Sequence, residues 1–120
     1  MSLLNNINNS QPLLLRTSKG VQAIDMGNIV RVEAISNYSK LYFSNGDTLV
    51  IAKVLRLLEA QLASHRFIRV HRTHIVNRNF IQQYFSGEES RIQLLNGEYI
   101  EVSRRKKADF LRCWMNAWSD

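Results

Sequence analysis

Residues 66–81 read Arg-Phe-Ile-Arg-Val-His-Arg-Thr-His-Ile-Val-Asn-Arg-Asn-Phe-Ile, with four arginines and two histidines set among apolar residues and no acid between them. Arginine carries a charge that does not titrate away and a planar fork of five donors suited to phosphate and to the edge of guanine. A solvated basic strand face would show the same composition, so both readings stand on these residues alone. A second block, Arg104-Arg105-Lys106-Lys107, directly follows Ser103. If Ser103 caps a helix, four cations occupy its first turn, where the macrodipole favours acids by about 0.3–1 kcal/mol each. Such a placement suits an anion, since the free N–H groups there add to the side-chain charge. The alternative is a helix that starts later, leaving the block as a solvated strand end.

Nothing comparable points to catalysis, a cofactor or a metal. His71 and His74, three apart on a strand, would face opposite ways, and no cysteine or carboxylate joins them as a third ligand. The glycines at 20, 27, 46, 87 and 97 form no phosphate cradle, and Cys113 lies in a helical pattern without a histidine partner. The expected protein is no enzyme and holds no cofactor.

The chain has 120 residues, enough for one core, and 45% of them are hydrophobic. Sixteen Lys and Arg against ten Asp and Glu give a formal net charge of +6, which favours an anionic partner. The excess is concentrated, for residues 60–87 include no acid. A single cysteine allows no internal disulfide and fits a reducing cytosol, with Cys113 as a small packing group. No apolar run approaches the roughly 18 residues of a membrane span, and no secretory signal is evident, so a cytoplasmic location is expected. The Asn-rich residues 1–12 read as a flexible tail or linker remnant, and residues 13–120 as the domain.

These segments must be positioned by a mainly β framework. Residues 13–17 and 21–24 form a first hairpin about Gly20, and the β-branched residues 29–35 a strand leading into a polar loop or strand mouth at 36–40. Asn45-Gly46 and Asn96-Gly97 each suit a type I′ turn and are each followed by an acid, giving two matching hairpins. Val54, Leu55, Leu57, Leu58 and Leu62 place a helix over residues 53–63. Residues 67–71 and 75–80 are two short strands around an Arg72-Thr73-His74 corner. Phe110, Leu111, Trp114, Met115 and Trp118 mark a C-terminal helix beginning at Ser103, which either closes the core or forms a dimer interface. Phe67, Phe80 and Phe85 are expected to face inward, leaving no stacking platform for single strands; duplex DNA suits the inventory better.

Val32-Glu33-Ala34, Asn37-Tyr38, Asn45-Gly46-Asp47, the Leu-rich helix, the string from Phe67 to Asn77, Asn96-Gly97-Glu98 and Val102-Ser103-Arg104-Arg105 occur in that order. Together they resemble the LytTR-type DNA-binding domain over residues 13–112. The resemblance implies an elongated arrangement of about ten short strands in three antiparallel sheets, with a central and a C-terminal helix. It also implies sequence-specific binding of double-stranded DNA by loops, as the output domain of a bacterial two-component response regulator. Base contacts carried over by motif fall at Ser39, Arg72 and Arg105. Phosphate contacts fall at Lys40, Arg56, Thr73, Arg104 and Lys106, and His71 orients the Arg72 corner. This chain has Thr73 and His74 where the family commonly has Ser and Tyr, and Ser39 where a longer basic or amide side chain is frequent. A homodimer on paired direct-repeat sites and a receiver domain ahead of Met1 are the implied partners. The rival reading is a protein-interaction module that docks through its Trp-rich C-terminal helix.

Overall fold

Alternation shapes the first hairpin. β1 (Leu13–Thr17) and β2 (Gly20–Ile24) pair antiparallel, with Leu13 and Leu15 buried while Leu14 between them faces solvent. The computed structural model describes residues 12–62 and 66–116. After a 3-10 turn capped by Asp25 come β3 (Ile29–Ile35), β4 (Tyr38–Phe43), β5 (Thr48–Ile51) and helix α1 (Leu55–Gln61). Then follow β6 (Phe67–His71), β7 (His74–Asn77), β8 (Ile81–Phe85), β9 (Arg91–Leu94), β10 (Tyr99–Glu101) and helix α2 (Lys107–Asn116). These ten strands form three antiparallel sheets: β1-β2, β5-β4-β3-β7-β6 and β10-β9-β8. The mainly β architecture with two helices is the one expected.

β3 is the central strand of the five-stranded sheet, and both of its faces are covered. On one side Val32, Leu41 and Ile75 pack with Leu55 and Leu58 of α1 and with the first hairpin. On the other, Val30, Ile68, Val70 and Val76 meet Ile92, Leu94, Ile100 and Val102 from the three-stranded sheet, closed by Phe110 of α2. A register shift between Ile29 and Arg31 breaks the strict alternation, and four consecutive residues, Ile29 to Val32, are buried. The buried Asn77 amide donates to the Ile29 carbonyl at 2.9 Å, satisfying a backbone group beside that shift.

Several local expectations are corrected. The polar segment at 36–40 is a turn only at Ser36-Asn37, where Ser36 takes φ 56°, and β4 already begins at Tyr38. The Asn-Gly turns are three-residue loops rather than type I′. Within these two loops only Gly46 and Gly97 have positive φ, both 95°, while Asn45 and Asn96 accept from the amides of Asp47 and Glu98. Helix α1 is shorter than residues 53–63, and Leu57 on it is exposed. Cys113 is exposed instead of packed. Phe67 is buried, but Phe85 is only partly so, with the Arg91 guanidinium 5.2 Å from its ring centroid. Residues 1–11 of the expected tail, Ala63 and Trp118 lie outside the described residues.

The two larger sheets are also joined by charge. Arg31, buried on β3, donates through Nε to Glu98 Oε1 at 3.1 Å and through a terminal nitrogen to Oε2 at 3.3 Å, a bidentate pair across the sheets. The Tyr42 ring lies 3.6 Å from the same guanidinium, and its hydroxyl donates to Glu33 at 2.7 Å. The Arg31 hydrogen bonds hold the Glu98 carboxyl below its ordinary range against the effect of burial. For Glu33, burial favours the neutral form, but Tyr42 and Arg31 outweigh it and lower its value too. Both carboxylates therefore contribute stability present above about pH 4.5 and lost as pH falls through their lower folded values. Glu98→Gln should cost about 1 kcal/mol at neutral pH, a modest figure because the carboxylate is partly exposed. It should also flatten the acid limb in urea denaturation followed from about pH 7 to about pH 3; an unaltered limb would assign the acid loss to other carboxylates.

Candidate nucleic-acid interface

The arginine-rich segment folds into the β6–β7 hairpin, which separates its four arginines. Arg66 and Arg78 lie at the far end, where the Arg66 carbonyl accepts from the Arg78 amide at 2.8 Å. Arg72 lies at the turn, roughly 20 Å away at about 3.3 Å per residue. His71 and His74 are partners across this two-residue turn with ring centroids 5.6 Å apart, not on opposite faces as spacing along one strand predicts. His71 Nδ1 accepts from the Thr73 amide at 3.2 Å, and the Thr73 hydroxyl lies 2.9 Å from the same nitrogen. This bond assigns the ring proton to Nε2, which faces Glu101 at 3.8 Å. Beneath the turn, Arg69 donates to the carbonyls of His71 and Arg72 and pairs with Glu59 of α1 at 2.6 Å.

The second cationic block arrives beside this turn through one backbone contact. Val70 lies at a register shift in β6, and its carbonyl accepts from the Ser103 amide at 2.8 Å. Ser103 does not start α2. Its carbonyl and hydroxyl both accept from the Lys106 amide, closing a single turn over Arg104-Arg105-Lys106, and α2 begins at Lys107 with Asp109 in its first turn. The cations thus largely precede the helix, relieving the conflict with its dipole that a start at Ser103 would create. Arg69, His71, Arg72, Ser103, Arg105, Lys106 and Asp109 line a shared cleft of about 630 Å³. Arg112 pairs with Asp109, the only acid in that lining, whereas among the described residues no carboxylate pairs with Arg72, Arg104, Arg105 or Lys106. A cationic groove with unneutralised guanidinium groups is suited to a polyanion.

The model of the LytTr DNA-binding domain matches residues 19–115. The chain belongs to that family. Among solved structures, it is similar to a LytTr DNA-binding domain from Bacillus cereus, with TM-score 0.73 and 23% identity, covering 88% of this chain and 97% of that one. No curated protein matches it.

In this LytTr domain the residues carried over by motif fall into distinct environments. Arg72, Arg104, Arg105 and Arg56 are exposed, while Lys40, Thr73, Lys106 and His71 are half-buried. The β3–β4 turn lies next to the Arg72 turn, since Ala34 N–H donates to the Thr73 carbonyl at 2.9 Å. Ser39 is the exception and a correction. It is 0% exposed, pairs with Ala34 and Ile51, and its hydroxyl donates to the Lys53 carbonyl at 2.6 Å, so no surface remains for a base. The exposed residues at that turn are instead Ser36, Asn37 and Tyr38. Motif reasoning missed Arg69 and Glu59, because their pairing joins a strand to a helix ten residues earlier. Trp114 stacks on Phe110 at 5.6 Å, partly buried against the core that α2 closes.

His74 lies behind the turn with its Nδ1 buried and unbonded. Burial lowers its affinity for a proton, and Arg31 and His71 add to that effect over the opposing Glu33 and Glu101. A histidine so depressed contributes stability that is full above about pH 6.5 and lost as pH falls through its lower folded value. His74→Phe should flatten the loss that begins as pH falls below about 6.5, a window above that of Glu33 and Glu98. Urea midpoints across that window check this, and an identical slope in both proteins would remove His74 as the cause.

Proposed function

We propose that this domain binds double-stranded DNA sequence-specifically, as the output domain of a bacterial two-component transcriptional regulator in the cytoplasm. The observation that carries the reading is the cleft in which Arg72 and Arg105, remote in sequence, share one cationic surface without acidic partners. Arg72 and Arg105 are the base-reading groups, with forks matched to the two acceptors of guanine in the major groove. Lys40, Arg56, Thr73, Arg104 and Lys106 hold phosphates, and His71 orients the turn. With its hydroxyl beside His71 Nδ1, Thr73 reaches phosphate by turning away from the ring. Affinity is then largely electrostatic and falls steeply with salt.

The regulatory setting is supported by the name of the similar Bacillus cereus protein, which is that of a methyl-accepting/DNA response regulator. A receiver domain ahead of residues 13–120 and a homodimer on direct repeats complete the proposal. The domain acts by binding and has no catalytic role.

The test is selection of duplexes from a random pool, followed by titration of selected and scrambled sites over a range of salt. Arg105→Ala should relax base preference at one position at a cost of about 1–3 kcal/mol on the selected site. Arg56→Ala should weaken all duplexes alike and reduce the salt slope by about one. Uniform loss in both variants would remove Arg105 as a reader, and absence of binding at low salt would favour a protein-interaction module.

A further inference from the structure

We infer that Glu59 and Arg69 form a positioning clamp that sets the Arg72 turn in its reading conformation, an inference that rests on the proposed DNA function. All three guanidinium nitrogens of Arg69 are committed within the domain. Nε donates to the His71 carbonyl at 2.8 Å, one terminal nitrogen to the Arg72 carbonyl, and the other to Glu59 Oε1 at 2.6 Å. The Arg69 side chain is only 17% exposed, which sets it apart from the exposed arginines around it.

The turn needs such a brace. Two-residue hairpin loops normally take type I′ or II′ geometry, whose positive φ at the first central residue matches strand twist; ordinary φ values splay the strands. Ser36 is the only non-glycine residue with positive φ among the described residues, so Arg72 and Thr73 have the mismatched geometry. Two successive carbonyls held by one planar fork fix the peptide planes on both sides of Arg72, and with them the direction of its Cα–Cβ bond. Glu59 supplies the counter-charge and anchors the fork to α1, whose Leu55 and Leu58 are in the core. Thr73 and His71 close the opposite side of the turn.

The clamp predicts an effect on discrimination that simple electrostatics does not. Removing an acid from a DNA-binding surface should tighten binding to every duplex, because it removes repulsion from phosphate. Glu59→Gln should instead lower the ratio of selected-site to scrambled-site affinity about five- to tenfold, with the salt slope unaltered. The conservative Arg69→Lys, which keeps the charge and loses the fork, should lower it similarly. In an Arg72→Ala background Glu59→Gln should cause no further loss, since the clamp acts through Arg72. A ratio measured on one protein is insensitive to its folded fraction, because partial unfolding lowers both affinities equally. Full discrimination in Glu59→Gln, or an equal loss with Arg72 already removed, would overturn the clamp. If the natural protein itself does not discriminate among duplexes, the failure belongs to the proposed function.

Discussion

The hydrogen bond from Ser103 N–H to the Val70 carbonyl holds together two segments that their charges push apart. On one side is the Arg72 turn, on the other Arg104-Arg105-Lys106, and among the described residues no carboxylate pairs with these cations. Two exposed guanidinium groups about 8 Å apart in water repel by roughly 0.5 kcal/mol, and several such pairs add up. What opposes them is apolar: Val70, Val102 and Phe110 are buried on both sides of the joint in one core. The core thus maintains a charge density that free chains would disperse. An arriving polyanion finds that density already assembled, so binding need not cover the cost of gathering it.

Arginine has two fates in this fold, and strand register decides between them. Arg31 and Arg69 sit where neighbouring strands and α1 bring carboxylates or carbonyls to them, and both are spent internally. Arg72, only three residues beyond Arg69, projects from the turn instead. The internal pair at Arg31 joins residues 67 apart in sequence, so no local pattern announces it. The same limit explains the histidines, since spacing along one strand becomes a cross-strand pairing once a turn intervenes.

Much of the framework was nevertheless legible. The glycines at the turns, the alternation of β1 and the leucines of α1 marked elements close to their observed bounds, because local sterics and burial act on near neighbours. Residues whose role depends on tertiary pairing were less readable. Ser39 looked like part of a loop, and a β4 that begins three residues earlier, at Tyr38, made it a paired, inward-facing position. Residues in a strand alternate between core and solvent, so a strand boundary misplaced by a few residues can turn an expected loop residue into a core one. The cationic blocks were visible as composition, but their meeting in one cleft required the shift at Val70 and the short turn after Ser103.

The two halves of the cleft belong to different sheets, which ties recognition to the joint between them. Arg72 is carried by the five-stranded sheet, while Arg104 and Arg105 follow β10 of the three-stranded one. Their separation is thus set by the packing of Val30, Ile68 and Val76 on Ile92, Leu94 and Ile100, and by the Arg31–Glu98 pair at the edge of that contact. Close-packed interiors transmit displacement instead of absorbing it. A change of volume at Val76 or Ile92 would alter the spacing of Arg72 and Arg105 from within the core. On the proposed reading, selectivity is therefore a property of the inter-sheet core as much as of the arginines themselves.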